Sequence, residues 1–334
     1  MVLVSTHRFS LNKSASKLVA ELIEDADKYR VSVEASECGT TIIDAGLKGK
    51  GGFRAGEIVT EICLAGCGRA SIVPIQYGEW VLPSIFVTTD YPVLSTLGFQ
   101  HAGWQIRAED FSAKAYGPGR ALAMEPNDLF KKFQFMEESN SAVIVLESEK
   151  KPPEAVVQQI AVKCGVSAEN LFLIIIASTS LTGVIQACGR VVETGLHTLV
   201  QNGLEPLIVK HAWGYAPIAS INQNAIEVSE RTEGAILSAG VANYTVDSDD
   251  ERFLRTVLSQ SHASALKMFL EAKRLADQNP RYKDLLKETG MDQMKAGANA
   301  IAPAMVTICS AKTGMSFTAG KFDFETLKRS LGIL

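Results

Sequence analysis

The chain has 334 residues, is 46% hydrophobic and 21% charged, and carries a formal net charge of −4 with a pI near 5.8. That composition is globular and large enough for one big domain or two, while the acidic balance argues against a nucleic-acid or anionic-membrane footprint, which wants clustered Lys and Arg. No stretch approaches the ~20 continuous apolar residues of a membrane helix, and residues 1–8 reach their charges too early for a secretory leader, so a soluble, cytoplasmic protein is expected.

Ser10 is a predicted N-cap for an amphipathic helix with the apolar stripe Leu11, Ala15, Leu18, Val19, Leu22, Ile23 and Ala26. Residues 31–35 and 40–45 read as short strands around the turn at Cys38-Gly39. A glycine-rich loop, residues 46–52, precedes a helix over about 54–66, and strands are expected at 71–76 and 82–89. Continuous apolar runs at 141–146 and 171–176 are the pattern of strands covered on both faces. Between them Pro152-Pro153 opens a helix carrying Val156, Val157, Ile160 and Ala161. A long helical segment follows Ser178-Thr179-Ser180 and holds Arg190 and Glu193. A strand at 206–210 leads into a loop at Gly214-Tyr215-Ala216-Pro217; residues 249–289 are charged and helical, divided at Pro280. The end reads as a strand at 304–309, a turn at Thr313-Gly314 and a helix near 324–331. Phe-x-Ala-Gly occurs at Phe53–Gly56 and again at Phe317–Gly320. The echo suggests one domain built from both chain ends, residues 1–100 with 301–334, and a second from 101–300.

Familiar catalytic signatures are absent: no Walker A, no GxGxxG after a strand, no GxSxG elbow. The loop at 46–52 is not closed by Gly-Lys-Ser/Thr and reads as a surface loop. Six cysteines lie in apolar contexts; Cys63 and Cys67 come closest to a metal spacing, yet no second pair and no nearby His completes a site, so no metal is expected.

Three segments could carry chemistry. Gly117-Pro118-Gly119-Arg120 is either a binding turn whose backbone N–H groups and guanidinium meet an anion or a heterocycle carbonyl, or a tight turn with an exposed Arg. Ser178 and Thr179 lie where an apolar strand meets a helix, suiting ligand binding or plain N-capping. Arg190, Glu193 and His197 fall at i, i+3 and i+7 among apolar neighbours. A carboxylate beside a fixed cation is a water-activating device or an ordinary helix ion pair; the apolar setting favours the functional reading, because buried ionisable groups concentrate at working sites.

With these residues in view the chain resembles the methenyltetrahydromethanopterin cyclohydrolases nearly end to end. The segments that carry the resemblance are Thr40–Gly46, Ala55-Gly56 with Glu61–Leu64, Ala102–Ile106, Gly117–Leu122, Gly189-Arg190-Val191-Val192-Glu193-Thr194-Gly195 and Ala216–Ala219. The resemblance implies two mixed α/β domains with the pocket in the cleft between them, a homo-oligomer, typically a trimer, and no metal or organic cofactor. It implies hydrolysis of the methenyl bridge of a tetrahydromethanopterin derivative to the 5-formyl compound, reversibly, within one-carbon metabolism. The family's catalytic pair falls on Arg190 and Glu193, with Glu193 as base and Arg190 as its tuner: a neighbouring cation favours the ionised carboxyl, burial the protonated one. Substrate contacts are expected from Gly117, Gly119, Arg120, Ser178, Thr179, His197 and Arg231. The sequence departs from the family at Tyr116–Arg120, usually Ser-Gly-Pro-Ala-Arg, at Pro217–Ser220, usually Pro-Ile-Ala-Pro, and at Glu230–Ala235, usually Gly-Arg-Thr-Asn-Asp-Ala. Those departures, read as cleft loops, keep two alternatives open: a non-catalytic pterin-binding paralogue, and a cyclohydrolase for a different methenyl-pterin.

Overall fold

The computed structural model describes residues 10–278 and 301–333, apart from Ala102, Glu109 and Gln134. The leader reading at residues 1–8 and the predicted division at Pro280 lie outside the described residues. Twelve strands are seen among those described: β1 Ser32–Ala35, β2 Thr41–Asp44, β3 Gly68–Tyr77, β4 Trp80–Thr89, β5 Trp104–Ala108, β6 Phe111–Tyr116, β7 Ala142–Glu147, β8 Leu171–Ile176, β9 Val209–Pro217, β10 Val241–Val246, β11 Met305–Ser310 and β12 Ser316–Gly320. They form two six-stranded sheets, β1-β2-β8-β7-β6-β5 and β12-β11-β10-β9-β4-β3. The α/β class is as the sequence predicts. No helix among the described residues is long and apolar enough to cross a membrane.

The chain divides into two compact units: residues 1–72, 94–187 and 220–229 in the first, residues 73–93, 188–219 and 230–334 in the second. In the first unit β7 and β8 are parallel, and such a pair needs a crossover; the helix Glu154–Cys164 supplies it. Alternate residues of these strands point to opposite layers. Val143, Val145, Ile174 and Ile176 pack with the helices Leu11–Glu24 and Phe53–Cys63, while Ile144, Leu146, Leu173 and Ile175 pack with Val156, Val157 and Ile160. Ser10 is extended, with φ −84 and ψ 134, and its side chain accepts from the Lys13 N–H, as expected of an N-cap. Of the predicted stripe, Leu11, Ala15, Val19 and Leu22 are buried, whereas Ile23 is exposed.

The second unit is built on the other sheet. β10 and β11 are parallel, and β12 pairs antiparallel with β11. This differs from the grouping of residues 1–100 with 301–334: β11 and β12 hydrogen-bond into the sheet of β9 and β10, and β1 and β2 belong to the other sheet. The Phe-x-Ala-Gly echo has no structural counterpart, because Phe53–Gly56 opens a helix and Phe317–Gly320 is strand β12. The predicted loop at 214–217 is likewise strand. Gly214 pairs with Val87 on one side and Ala242 on the other, and a central position bonded on both flanks overrides the local glycine and proline signals.

Candidate active site

The helix predicted to run unbroken past residue 190 is two helices, Leu181–Cys188 and Val191–Gln201, and Arg190 is the N-cap of the second, with φ −77 and ψ 4. Glu193 therefore stands in the first turn, where the positive end of the helix dipole favours a carboxylate. Arg190 donates from Nε at 2.9 Å and from Nη2 at 2.7 Å, both to Oε2 of Glu193. The Glu193 side chain is 1% exposed and that of Arg190 20%, so this is not a solvated surface pair. Burying a carboxylate is costly without a charged partner, and Arg190 is that partner. One turn on, half-buried His197 brings a ring nitrogen within 4.8 Å of a Glu193 carboxylate oxygen, and Gln201 Nε2 lies 3.3 Å from its Nε2. The three ionisable residues of the predicted stripe thus follow one another along the first two turns of one helix.

Packing against β9 and β10 holds that helix in place. At position 195 a Cβ would lie 2.3 Å from the Tyr244 hydroxyl and 3.1 Å from Pro303, so only glycine admits this approach. Beneath it Gly214 meets Val192, whose Cγ2 would be 3.0 Å from a Cβ there. Thr198 donates to the carbonyls of Thr194 and Ile301 at 2.9 and 3.2 Å. Tyr244 carries no motif; its only sequence signal is an inward place in the alternating run at 241–246.

The segment Gly117–Arg120 has inward tasks. Arg120 is fully buried. Its Nε donates to Glu125 O at 3.1 Å and its Nη1 to Phe99 O at 3.2 Å and to His101 O. Those last two carbonyls lie at the end of a π-helix, Val93–Gln100, that the sequence analysis did not anticipate. A cation beside terminal carbonyls is the stabilising arrangement for a helix C-terminus. Gly117 N–H goes to the same Phe99 carbonyl at 3.0 Å, Asn12 Nδ2 holds Pro118 O at 3.2 Å, and a Cβ at 119 would lie 2.7 Å from Ile144. The exposed Arg of the sequence reading does not describe this segment, whose guanidinium is turned inward.

Ser178 and Thr179 do sit between β8 and the next helix, where their hydroxyls meet Glu149 at 2.5 and 3.1 Å. Ser180 is the residue that accepts from the Gly183 N–H at 3.0 Å. Arg231 lies within the helix Ala225–Ala239, so residues 230–235, read as a loop, are helical; Gly234 suits this place, since a Cβ there would lie 2.3 Å from Ser330 Oγ. The loop at 46–52 is organised by Asp44, whose carboxylate takes the N–H groups of Gly46 and Leu47 on Oδ1 at 3.0 and 2.7 Å and those of Lys48 and Gly49 on Oδ2 at 2.8 and 3.1 Å.

The family described as Cyclohydrolase (MCH) matches residues 10–331, a span that includes every residue of the Arg190–Glu193–His197 constellation. The chain belongs to the methenyltetrahydromethanopterin cyclohydrolase family. It is 36% identical to the methenyltetrahydromethanopterin cyclohydrolase of Methanothermobacter marburgensis over 97% of this chain and 99% of the relative. The enzymes of that name from Methylobacillus flagellatus and Methanococcoides burtonii are 34% and 31% identical, over 97% of this chain and 95% and 98% of theirs. Similarity of that extent covers both compact units.

Proposed function

We propose that the protein hydrolyses 5,10-methenyltetrahydromethanopterin to 5-formyltetrahydromethanopterin, reversibly, in one-carbon metabolism. The observation that carries the reading is the buried Arg190–Glu193 pair at the start of its helix, in a chain of this family. The methenyl carbon is an amidinium-type cation and already electrophilic, so the reading assigns no metal and no organic cofactor. Water adds to that carbon as Glu193 takes one of its protons, giving a neutral hydroxyl adduct. Collapse of the adduct forms the formyl C=O on N5 and breaks the bond to N10. The proton held by Glu193 passes to N10, and the second water proton leaves to solvent. One proton is released for each positive charge lost, so the reaction balances.

Arg190 keeps Glu193 oriented throughout, and the carboxylate offsets the charge of the bound cation. His197, whose ring nitrogen lies within 4.8 Å of a Glu193 carboxylate oxygen, is assigned a substrate contact, as is Arg231. The backbone at Gly117 and Gly119 and the hydroxyls of Ser178 and Thr179 complete the proposed contacts; Arg120 shapes the first of these segments from within. The protein is read as a cytoplasmic homo-oligomer, a trimer as in the resembling family.

The test is the loss of methenyl absorbance with purified 5,10-methenyltetrahydromethanopterin, run beside the methenyl-tetrahydrofolate analogue, with proton release followed by an indicator dye. Turnover of the first with one proton per bond opened is expected. Tight binding of both without any absorbance change would overturn the reading in favour of a carrier.

A further inference from the structure

The helix that carries Glu193 has an anchor outside its own motif. Tyr244, in β10, is fully buried and donates its hydroxyl proton to the Val192 carbonyl at 2.7 Å. The Leu196 backbone N–H is in turn directed at the Tyr244 hydroxyl oxygen. Val192 is the residue immediately before Glu193, and Leu196 is its i+4 partner, so the hydroxyl sits at the first full turn. That is the turn in which a helix has the fewest internal bonds. The approach depends on Gly195, where any Cβ would fall 2.3 Å from the hydroxyl. Burial, and after it the nearby Glu193 carboxylate, push the Tyr244 hydroxyl well above the usual phenol range, so it keeps its proton and remains a donor. A phenylalanine would fill the same core position without placing a hydroxyl against the helix. The polar group therefore has a local task, and the peptide it grips is the one that sets the Cα of Glu193.

We propose that Tyr244 is a positioning residue for the hydrolytic step: its hydroxyl fixes the first turn of the helix Val191–Gln201, keeping the Glu193 carboxylate in register with Arg190, and Gly195 is present to admit it. The proposal rests on the reading of Glu193 as the base. Reacting groups must be held close to productive geometry, and a displacement well under 1 Å is enough to cost rate rather than binding.

The experiment compares Tyr244→Phe, Gly195→Ala and Glu193→Gln in the full-length protein, with thermal unfolding recorded for each. Tyr244→Phe removes one oxygen; Gly195→Ala keeps the hydroxyl but presses it off the Val192 carbonyl. Both are expected to fold and to lower kcat about tenfold while KM moves less than about twofold, the signature of lost transition-state geometry. Glu193→Gln is expected to be inactive. If Glu193→Gln remains active, the base assignment fails and takes this proposal with it. If Glu193→Gln is inactive while the other two fold and keep the parent kcat, Tyr244 has no positioning role and the proposal alone is overturned. Failure of both to fold would make the hydroxyl a fold element only, which overturns it as well.

Discussion

Nε and Nη2 of Arg190 converge on a single oxygen of Glu193, Oε2, at 2.9 and 2.7 Å. A planar fork meeting one oxygen fixes the direction of the carboxyl group, which a lysine ammonium could not do. Glu193→Gln removes the base and leaves a neutral amide of the same shape. It is expected to lower kcat at least ~100-fold and to weaken binding of the cationic substrate by a much smaller factor, read by stopped-flow absorbance and by fluorescence titration.

Arg190 should affect stability more than its partner does. Arg190→Ala takes the guanidinium away from a carboxylate that is 1% exposed, and breaking a buried pair costs ~3 kcal/mol or more. Glu193→Gln removes the buried charge itself, so its urea midpoint should lie well above that of Arg190→Ala. Equal midpoints would mean that the pair is not electrostatically coupled.

Arg120 separates a binding role from a scaffolding one. Its guanidinium donates to the carbonyls of Glu125, Phe99 and His101, and hydrogen bonds from a charged donor contribute about 1.5–3 kcal/mol each. Arg120→Met is expected to lose on the order of 3 kcal/mol of unfolding free energy, seen as a lower midpoint. A raised KM at unchanged stability would instead place this residue against substrate.

Asp44→Asn tests the organised loop. The carboxylate accepts four backbone N–H groups, two on each oxygen. An amide turns one of those acceptors into a donor facing two others. The expected loss is about 2 kcal/mol, with hydrogen exchange accelerating at residues 46–49.

Burial pushes the thiols of Cys67, Cys164 and Cys188 up to about 12 from 9.0. The unfolded chain ionises these thiols from about pH 9, whereas the folded protein holds them neutral. The folded state is therefore favoured fully below pH 9 and loses stability as pH rises toward 12, by up to about 1.4 kcal/mol per pH unit for each thiol. At pH 8, mass spectrometry after brief alkylation should find Cys38 and Cys309, both partly exposed, modified ahead of the buried Cys164 and Cys188.

Periodicity made the scaffold legible. The apolar runs of β7 and β8, the Ser10 cap and the helix after Pro152-Pro153 all follow from spacings within a dozen residues. What escaped depends on distant partners. Gly195 reads as the end of a motif until Tyr244, on another element, is seen against it. Arg120 reads as a surface or ligand-binding residue until the π-helix carbonyls close around it. Residues 214–217 hold glycine and proline at a place where two neighbouring strands leave no choice but extension. The break at Gly189-Arg190 was also missed, since its apolar flanks continue the helical pattern; it nevertheless decides the site, because it puts Glu193 in a first turn rather than mid-helix.

The loop that Asp44 organises has a consequence for ligand choice. Four N–H groups in a glycine-rich turn would ordinarily recruit a phosphate. Here the anion is built in and tethered two residues before the first of those N–H groups, an intramolecular competitor whose effective concentration exceeds what free phosphate or nucleotide could match in solution. The turn is self-inhibited toward such ligands, and the glycine-rich surface loop of the sequence is a closed clasp in the folded protein.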